Sequence, residues 1–188
     1  MTDLRYPIGK FESSGGMTEA ERRRLIEGIA QAPPKLRAAV EGLLPEQLDT
    51  PYRPGGWTVR QVVHHLPDSH LNAYVRLKLA LTENEPAIKT YEQERWAELE
   101  DARSAPIEIS VALLESLHRR WVLVLRALRP EDFARTFRHP ELGVVTLDQQ
   151  LRLYEWHGRH HIAHITSLRE RMGWNVVAGF REGSGRIA

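Results

Sequence analysis

Four long segments of the chain repeat apolar residues at the spacing of an α-helix, and Pro- and Gly-rich stretches separate them. Three of these segments open on a Thr that is followed three residues later by Glu or Gln, a capping box that begins a helix. The fourth opens near Pro106, a residue favoured in a first helical turn. The pattern predicts an all-α fold with long helices over residues 18–44, 58–81, 106–128 and 146–172.

The connections predict further local features. Pro33-Pro34 lies inside the first predicted helix and should bend or split it, because proline lacks an amide donor. Residues 82–105 form a connection long enough to cross over one end of a bundle, with a short helix predicted at 92–99. A small β-hairpin is predicted around Pro140 and Gly143, just before the last helix.

Gly173 is predicted to end the last helix as its left-handed cap. The 188-residue length is appropriate for one core, so we expect a single domain over residues 1–174. Residues 175–188 contain three glycines and are predicted to form a loosely held tail.

Composition excludes several classes of protein. The chain has no cysteine, so a disulfide framework, a thiolate metal site and a cysteine nucleophile are ruled out. A formal net charge of +1 with no basic stripe argues against nucleic-acid binding. No apolar stretch approaches the roughly 18 residues that span a bilayer, and no signal-peptide core is recognisable. We therefore expect a soluble, cytoplasmic protein that contacts neither nucleic acid nor membrane.

Histidines are the chemically informative residues, since seven of the nine fall in two windows, residues 64–70 and 157–164. On a helical wheel, His161 lies on the apolar stripe of the last helix and His157 lies about 40° from it. His160 and His164 are rotated towards the flank. The His157-x-x-x-His161 spacing brings two imidazoles to one side of a helix, where they can share a metal ion.

A third ligand must come from the other window. His64 points away from the apolar stripe of its helix, His65 is lateral and His70 lies nearer the core, so periodicity alone slightly favours His70. No glutamate stands in the metalloprotease position between His157 and His161, which disfavours that class.

A lone histidine on an apolar face is usually a hydrogen-bonded core residue, and His118 and His139 are interpreted as ordinary surface or packing residues. Two clustered windows are different, because several buried imidazoles without a ligand or partners would be costly. The clustering therefore favours a metal site.

The sequence is similar to the YfiT branch of the DinB superfamily over about residues 6 to 174. The similarity is carried by Tyr-Pro-Ile-Gly at 6–9, by Pro-Gly-Gly-Trp-Thr-Val-Arg-Gln-Val-Val-His-His-Leu at 54–66, by Tyr-Glu-Trp-His at 154–157, by His-His-Ile-Ala-His-Ile at 160–165, and by Arg-Met-Gly-Trp at 171–174. It implies a four-helix bundle with a crossover connection, a homodimer, and one divalent metal ion held by three histidines with open water positions. By motif, the implied ligands are His65, His157 and His161. Pro67 departs from the branch; it removes an amide donor one turn after Val63 and is predicted to kink the helix beside His65.

The resemblance implies a metal-dependent hydrolase that acts on a small molecule, with Zn²⁺ or Ni²⁺ as the ions that imidazoles favour. One alternative is a thiol S-transferase that uses bacillithiol or a similar low-molecular-weight thiol, which must be a cosubstrate because the chain has no cysteine. Another is a non-catalytic bundle whose ion is closed off by a fourth ligand, His70 or His164. Asp68, one turn from His65, is predicted to orient an imidazole.

Overall fold

Capping boxes begin three of the four long helices, as the sequence predicts. At the first, the Thr18 hydroxyl accepts from the Glu21 amide at 3.2 Å, and the Glu21 carboxylate accepts from the Thr18 amide at 2.8 Å. The same reciprocal bonds form at the other two boxes. Gly173, at φ +66°, caps the last helix in the left-handed region.

The computed structural model of the protein describes residues 3–12 and 15–174, and the predicted tail lies outside them. The elements are α1 (Glu19–Val40), α2 (Pro45–Leu48), α3 (Val59–Thr82), α4 (Gln93–Trp96), α5 (Glu100–Ser104), α6 (Ile107–Ala127), a 3-10 helix (Pro130–Ala134), β1 (Thr136–His139), β2 (Gly143–Thr146) and α7 (Leu147–Met172). No helix in the described part of the chain is long and apolar enough to cross a membrane.

The prediction that Pro33-Pro34 could split the first helix is wrong, since α1 runs through both prolines and ends at Val40. Pro33 lacks the amide that would bond the Ile29 carbonyl, but that carbonyl accepts instead from Nδ1 of His118 at 2.7 Å. The side chain of another helix thus replaces the missing donor. The helix α3 also continues through a proline, Pro67.

Paired contacts show how the long helices run. His64 bonds Ser110 and His70 bonds His118, so α3 and α6 advance in the same direction. A chain that leaves α3 and enters a parallel α6 must travel back along the bundle, and residues 83–106, with the short α4 and α5, make that crossover. The predicted crossover connection is confirmed.

The helices α1 and α7 are the second parallel pair. Arg22 pairs with Asp148 near their starts, and Arg169 donates to the Ala39 carbonyl near their ends. Between the two pairs, α1 packs against α6 and α3 packs against α7. The long helices α1 and α3, which are consecutive along the chain, therefore lie diagonally opposite each other in the bundle. The same is true of α6 and α7. The four-helix prediction is confirmed.

The hairpin is also confirmed, with β1 and β2 antiparallel from Thr136 opposite Thr146 to His139 opposite Gly143. The Arg135 guanidinium donates to the Ala80 carbonyl at 2.6 Å and so ties the hairpin to the end of α3.

Two apolar clusters fill the bundle. One contains Ile29, Leu77, Trp121 and Leu151, and the other contains Leu36, Leu66, Leu114 and Ile165. Along each long helix, residues of one cluster give way to residues of the other, and histidines of α3, α6 and α7 lie where the change occurs. The fold thereby places a polar layer across its own core.

Candidate metal centre

Three imidazoles converge in this layer. One ring nitrogen each from His65, His157 and His161 lies within 4.8 Å of the other two. Nε2 of His65 and Nε2 of His157 are 3.3 Å apart. Two nitrogens on one tetrahedral zinc ion are about 3.3 to 3.4 Å apart, since each Zn–N bond is about 2.0 to 2.1 Å. The arrangement therefore fits a small divalent ion.

Burial keeps these three imidazoles neutral. Desolvation, with smaller contributions from His160 and His164, lowers the pKa of His65 to about 4. Burial also lowers the pKa values of His157 and His161 well below the ordinary value, and neighbouring histidines add to both shifts. A neutral imidazole offers an unprotonated nitrogen, which is the form that binds a metal.

A chain of hydrogen bonds connects His157, through one histidine of α3 and one of α6, to the backbone of α1. Nδ1 of His157 lies 3.1 Å from Nε2 of His70, and Nδ1 of His70 lies 2.8 Å from Nε2 of His118. Nδ1 of His118 bonds the Ile29 carbonyl at 2.7 Å. We call these three histidines and the Ile29 carbonyl the histidine relay.

The carbonyl end fixes the direction of every bond in the relay. A carbonyl only accepts, so His118 carries its proton on Nδ1 and presents a bare Nε2 to His70. His70 must then donate from Nδ1 and accept at Nε2. His157 in turn donates from Nδ1, which leaves its Nε2 unprotonated and facing His65. The relay thus sets the tautomer in which His157 can hold an ion.

The relay corrects two interpretations from the sequence. His70, which periodicity alone slightly favoured as a ligand, uses both ring nitrogens for other histidines. His118, interpreted as an ordinary surface or packing residue, is only 1% exposed and uses both ring nitrogens in the relay. A helical wheel of the third predicted helix would have found it, because position 118 shares the face of Leu114, Trp121 and Leu125.

The other histidines have partners outside the cluster. His64 donates from Nε2 to the Ala105 carbonyl and accepts from Ser110 at Nδ1, so it points away from the cluster yet is buried. His160 stacks on Trp156 with ring centroids 4.4 Å apart. His164 donates from Nε2 to the Arg5 carbonyl and stacks on Tyr52. His139, on the hairpin, accepts from two amides of the turn.

Asp68 lies one turn beyond His65 and is partly buried. Burial, with a smaller contribution from the Asp101 charge, raises the pKa of its carboxyl to about 6. Within the described residues its carboxylate makes no hydrogen bond to an imidazole.

Two cavities adjoin the cluster, and His157 lines both. The first, of 360 Å³, we call the aromatic cavity; its walls include Tyr6, Tyr52, Trp57, Trp156 and His161. The second, of 510 Å³, we call the Arg76 cavity; its walls include Ser69, Arg76, Tyr91 and Tyr154. Both cavities therefore extend to the cluster at His157, and the aromatic cavity extends to it at His161 as well.

Comparison with known proteins identifies relatives over most of the chain. Residues 29–165 match the family model of the DinB superfamily. A protein of Bacillus mycoides is 55% identical over 174 residues, covering 93% of this chain and all of the relative, and a protein of Bacillus anthracis is 54% identical over the same length. Both carry the provisional name metal-dependent hydrolase.

Solved structures agree with the fold. YfiT from Bacillus subtilis, described provisionally as a metal-dependent hydrolase with an unusual four-helix bundle topology, has a TM-score of 0.90 and 49% identity, covering 93% of this chain and all of that one. TT2238, a four-helix bundle protein, has a TM-score of 0.54 at 22% identity and supports the fold alone. The family match and the level of identity together show that the chain, which is similar to YfiT, belongs to the DinB superfamily.

Proposed function

We propose that the protein is a metal-dependent hydrolase that acts on a small molecule. His65, His157 and His161 would hold one divalent ion, Zn²⁺ or Ni²⁺, of the kinds that imidazole ligands favour. When bound by three neutral ligands, such an ion keeps its full charge and lowers the pKa of coordinated water to near 7. The observation that carries the proposal is the convergence of these three neutral imidazoles beside two cavities.

The partners of the remaining histidines support an open site rather than a closed structural one. Both nitrogens of His70 are engaged in the relay. His164 donates from Nε2 to the Arg5 carbonyl and is not in the group of three histidines whose ring nitrogens converge. These were the two residues from which a fourth protein ligand was expected. A site with three protein ligands leaves a position for water or substrate, as catalytic zinc sites do.

Metal binding tests the ligand set. Untagged protein reconstituted with Zn²⁺ or Ni²⁺ should bind one equivalent per chain. His65→Ala, His157→Ala and His161→Ala should each abolish tight binding, whereas His64→Ala and His160→Ala should retain it. Binding well below one equivalent, or equal losses in all five variants, would contradict the proposed site.

Activity assays then separate hydrolase from thiol transferase. The metal-loaded protein would be offered ester and amide substrates, and separately an electrophile with a low-molecular-weight thiol such as bacillithiol. Metal-dependent hydrolysis without thiol supports the proposal. Turnover that requires the thiol favours the transferase. A cobalt-substituted form that ignores thiols and lacks both activities would leave only the structural role.

The proposed role of Asp68 is to orient an imidazole of the site. Asp68→Asn keeps the size of the side chain and removes its charge. If Asp68 acts on His65, this change should weaken metal binding; if affinity is unaltered, that role is excluded.

A further inference from the structure

Arg76 is a buried cation without an anionic partner. Its side chain lies in α3, and the residue is 8% exposed. Among the described residues it takes part in no ion pair. It donates from Nη1 to the Tyr154 hydroxyl at 3.4 Å and from Nη2 to the Lys89 carbonyl at 3.3 Å. Both distances exceed the usual 2.7 to 3.2 Å.

Among the described residues, the other buried arginine is satisfied differently. Arg169 is 7% exposed, and Nη1 donates to the Ala39 and Glu41 carbonyls at 2.8 and 2.9 Å. These carbonyls lie at the carboxyl end of α1, where a positive charge is stabilised. Arg76 has no comparable set: three of its five N–H groups have no partner within the described residues. The unpartnered Nε is not fully buried, so this N–H is accessible from the cavity, where an anion can compensate the charge.

The guanidinium lines the Arg76 cavity, which extends to the proposed metal ligand His157. Tyr154 lies between them: its hydroxyl accepts from Arg76, and its ring centroid is 5.6 Å from that of His157. Ser69 and Tyr91 contribute further hydroxyls to the wall. A small molecule in this cavity can therefore reach the cationic end and the metal centre together.

The acidic residues of the cavity limit the charge of the occupant. Glu92, Glu94 and Glu141 line it and are exposed. Glu92 pairs with Arg95, and Glu94 accepts from Trp57. One buried positive charge within an acidic rim suits a single negative charge better than two, because like charges repel.

We propose that Arg76 forms the recognition subsite of the substrate, and that the substrate is a small monocarboxylate whose carboxylate is bound by the guanidinium while its reactive group extends to the metal centre. Arginine binds carboxylates through two parallel N–H bonds, and the unpartnered N–H groups of Arg76 can supply them. The part of this inference that concerns the reactive group rests on the proposed hydrolase function. The anion subsite itself does not.

The test is carried out on the metal-free protein, so that a carboxylate cannot report binding to the ion. Phenylacetate and its neutral isostere phenylacetamide are titrated against protein labelled with ¹⁵N in arginine, and the Arg76 Nε resonance is followed. Phenylacetate should shift this resonance and bind at least tenfold more tightly than phenylacetamide. Equal affinity for the two compounds, or no binding of phenylacetate, would overturn the proposal.

Two variants and a matched control locate the site. Arg76→Gln should weaken phenylacetate binding about tenfold or more, and Arg76→Lys, which keeps the charge but loses the two-pronged geometry, should weaken it less. Arg53→Gln, in the aromatic cavity, should leave it unchanged. Should Arg76→Gln fail to fold, unaltered affinity in Arg76→Lys would still count against the proposal, as would a loss confined to Arg53→Gln.

Inorganic phosphate is the competing anion. If phosphate binds at Arg76 more tightly than phenylacetate does, the carboxylate assignment is wrong. The outcome for hydrolysis is separate: a protein that binds phenylacetate through Arg76 but hydrolyses no carboxylate-bearing ester or amide retains the subsite and contradicts the proposed function.

Discussion

The ring nitrogen on which His157 carries its proton is determined by residues that would not contact a bound ion. In the relay, His70 and His118 accept at Nε2 and donate from Nδ1, and the direction is fixed because the Ile29 carbonyl at the end can only accept. An outer partner of this kind typically contributes a factor of about 10 to 100 to metal affinity. His70 and His118 are therefore positioning residues of the proposed site.

We expect His70→Leu to lower Zn²⁺ affinity about 10- to 100-fold, because it removes the acceptor that holds the His157 proton on Nδ1. The measurement is competition with a chromophoric chelator, together with the ¹⁵N shifts of the imidazoles in the metal-free protein. His64→Leu is the matched control, since His64 lies on the same helix and bonds through both nitrogens, but to Ser110 and Ala105. A similar loss of affinity in both variants would show that general damage to α3, and not the relay, is responsible.

The buried histidines also predict acid sensitivity of the metal-free protein. Burial lowers the pKa of His118 to about 4, from about 6.5 in the unfolded chain. Between these values the unfolded state binds more protons, so the free energy of unfolding should fall as pH drops from about 6.5 to about 4. Urea midpoints at pH 7.5, 5.5 and 4.5 measure the effect.

Asp68 provides a control of opposite sign. The pKa of its carboxyl is raised to about 6, so between about pH 4 and 6 the folded state binds more protons at this group than the unfolded state does. The contribution of Asp68 to the free energy of unfolding therefore increases as the pH falls through this range. Asp68→Asn should therefore steepen the loss of stability below pH 6. A shallower loss would show that burial does not act on these groups as described.

How far the site could be predicted from the sequence depended on the residue. His157 and His161 followed from the wheel, because both lie near one apolar stripe of a single helix. His65 did not follow from the wheel, because it is lateral to the apolar stripe of its own helix. It lies against α7, and only the family motif pointed to it. His118 and Arg76 were missed as functional candidates because their significance comes from partners 48 and 78 residues away.

At the scale of the element, capping chemistry predicted helix boundaries well. Each Thr capping box acts within four residues, so α1, α3 and α7 begin at the residues expected. The effect of Pro33 could not be predicted in the same way. Whether a proline ends a helix depends on what replaces its missing amide, and here the donor comes from α6.

We expect Pro33→Ala to stabilise α1 but loosen the relay. The new amide would bond the Ile29 carbonyl and compete with His118 for it. The melting temperature should rise, while the Nδ1–H population of His118, measured by ¹⁵N shifts in the metal-free protein, should fall. Pro34→Ala is the control, since it restores an amide to the Ala30 carbonyl, which accepts from no side chain in the described residues. Identical imidazole shifts in the two variants would refute the link.

At the scale of the whole molecule, the resemblance to the YfiT branch predicts a homodimer. The outer faces of α3 and α6 carry large apolar residues that are about half exposed, namely Leu71, Val75, Ile109 and Leu113. Sedimentation equilibrium should give twice the chain mass of 21.6 kDa, and Val75→Lys with Leu113→Lys should shift the mass towards one chain. A wild-type protein that sediments as a monomer at all concentrations would remove this expectation.

Every long helix contributes one group to the relay: a carbonyl from α1, His118 from α6, His70 from α3 and His157 from α7. A partly assembled bundle lacks at least one of these links, so it cannot present His157 in its metal-binding tautomer by this route. Binding of the proposed ion would then report completed assembly. A newly synthesised chain would bind its metal only after the bundle had assembled. Substitutions deep in either apolar cluster would lower the metal affinity before they unfold the protein.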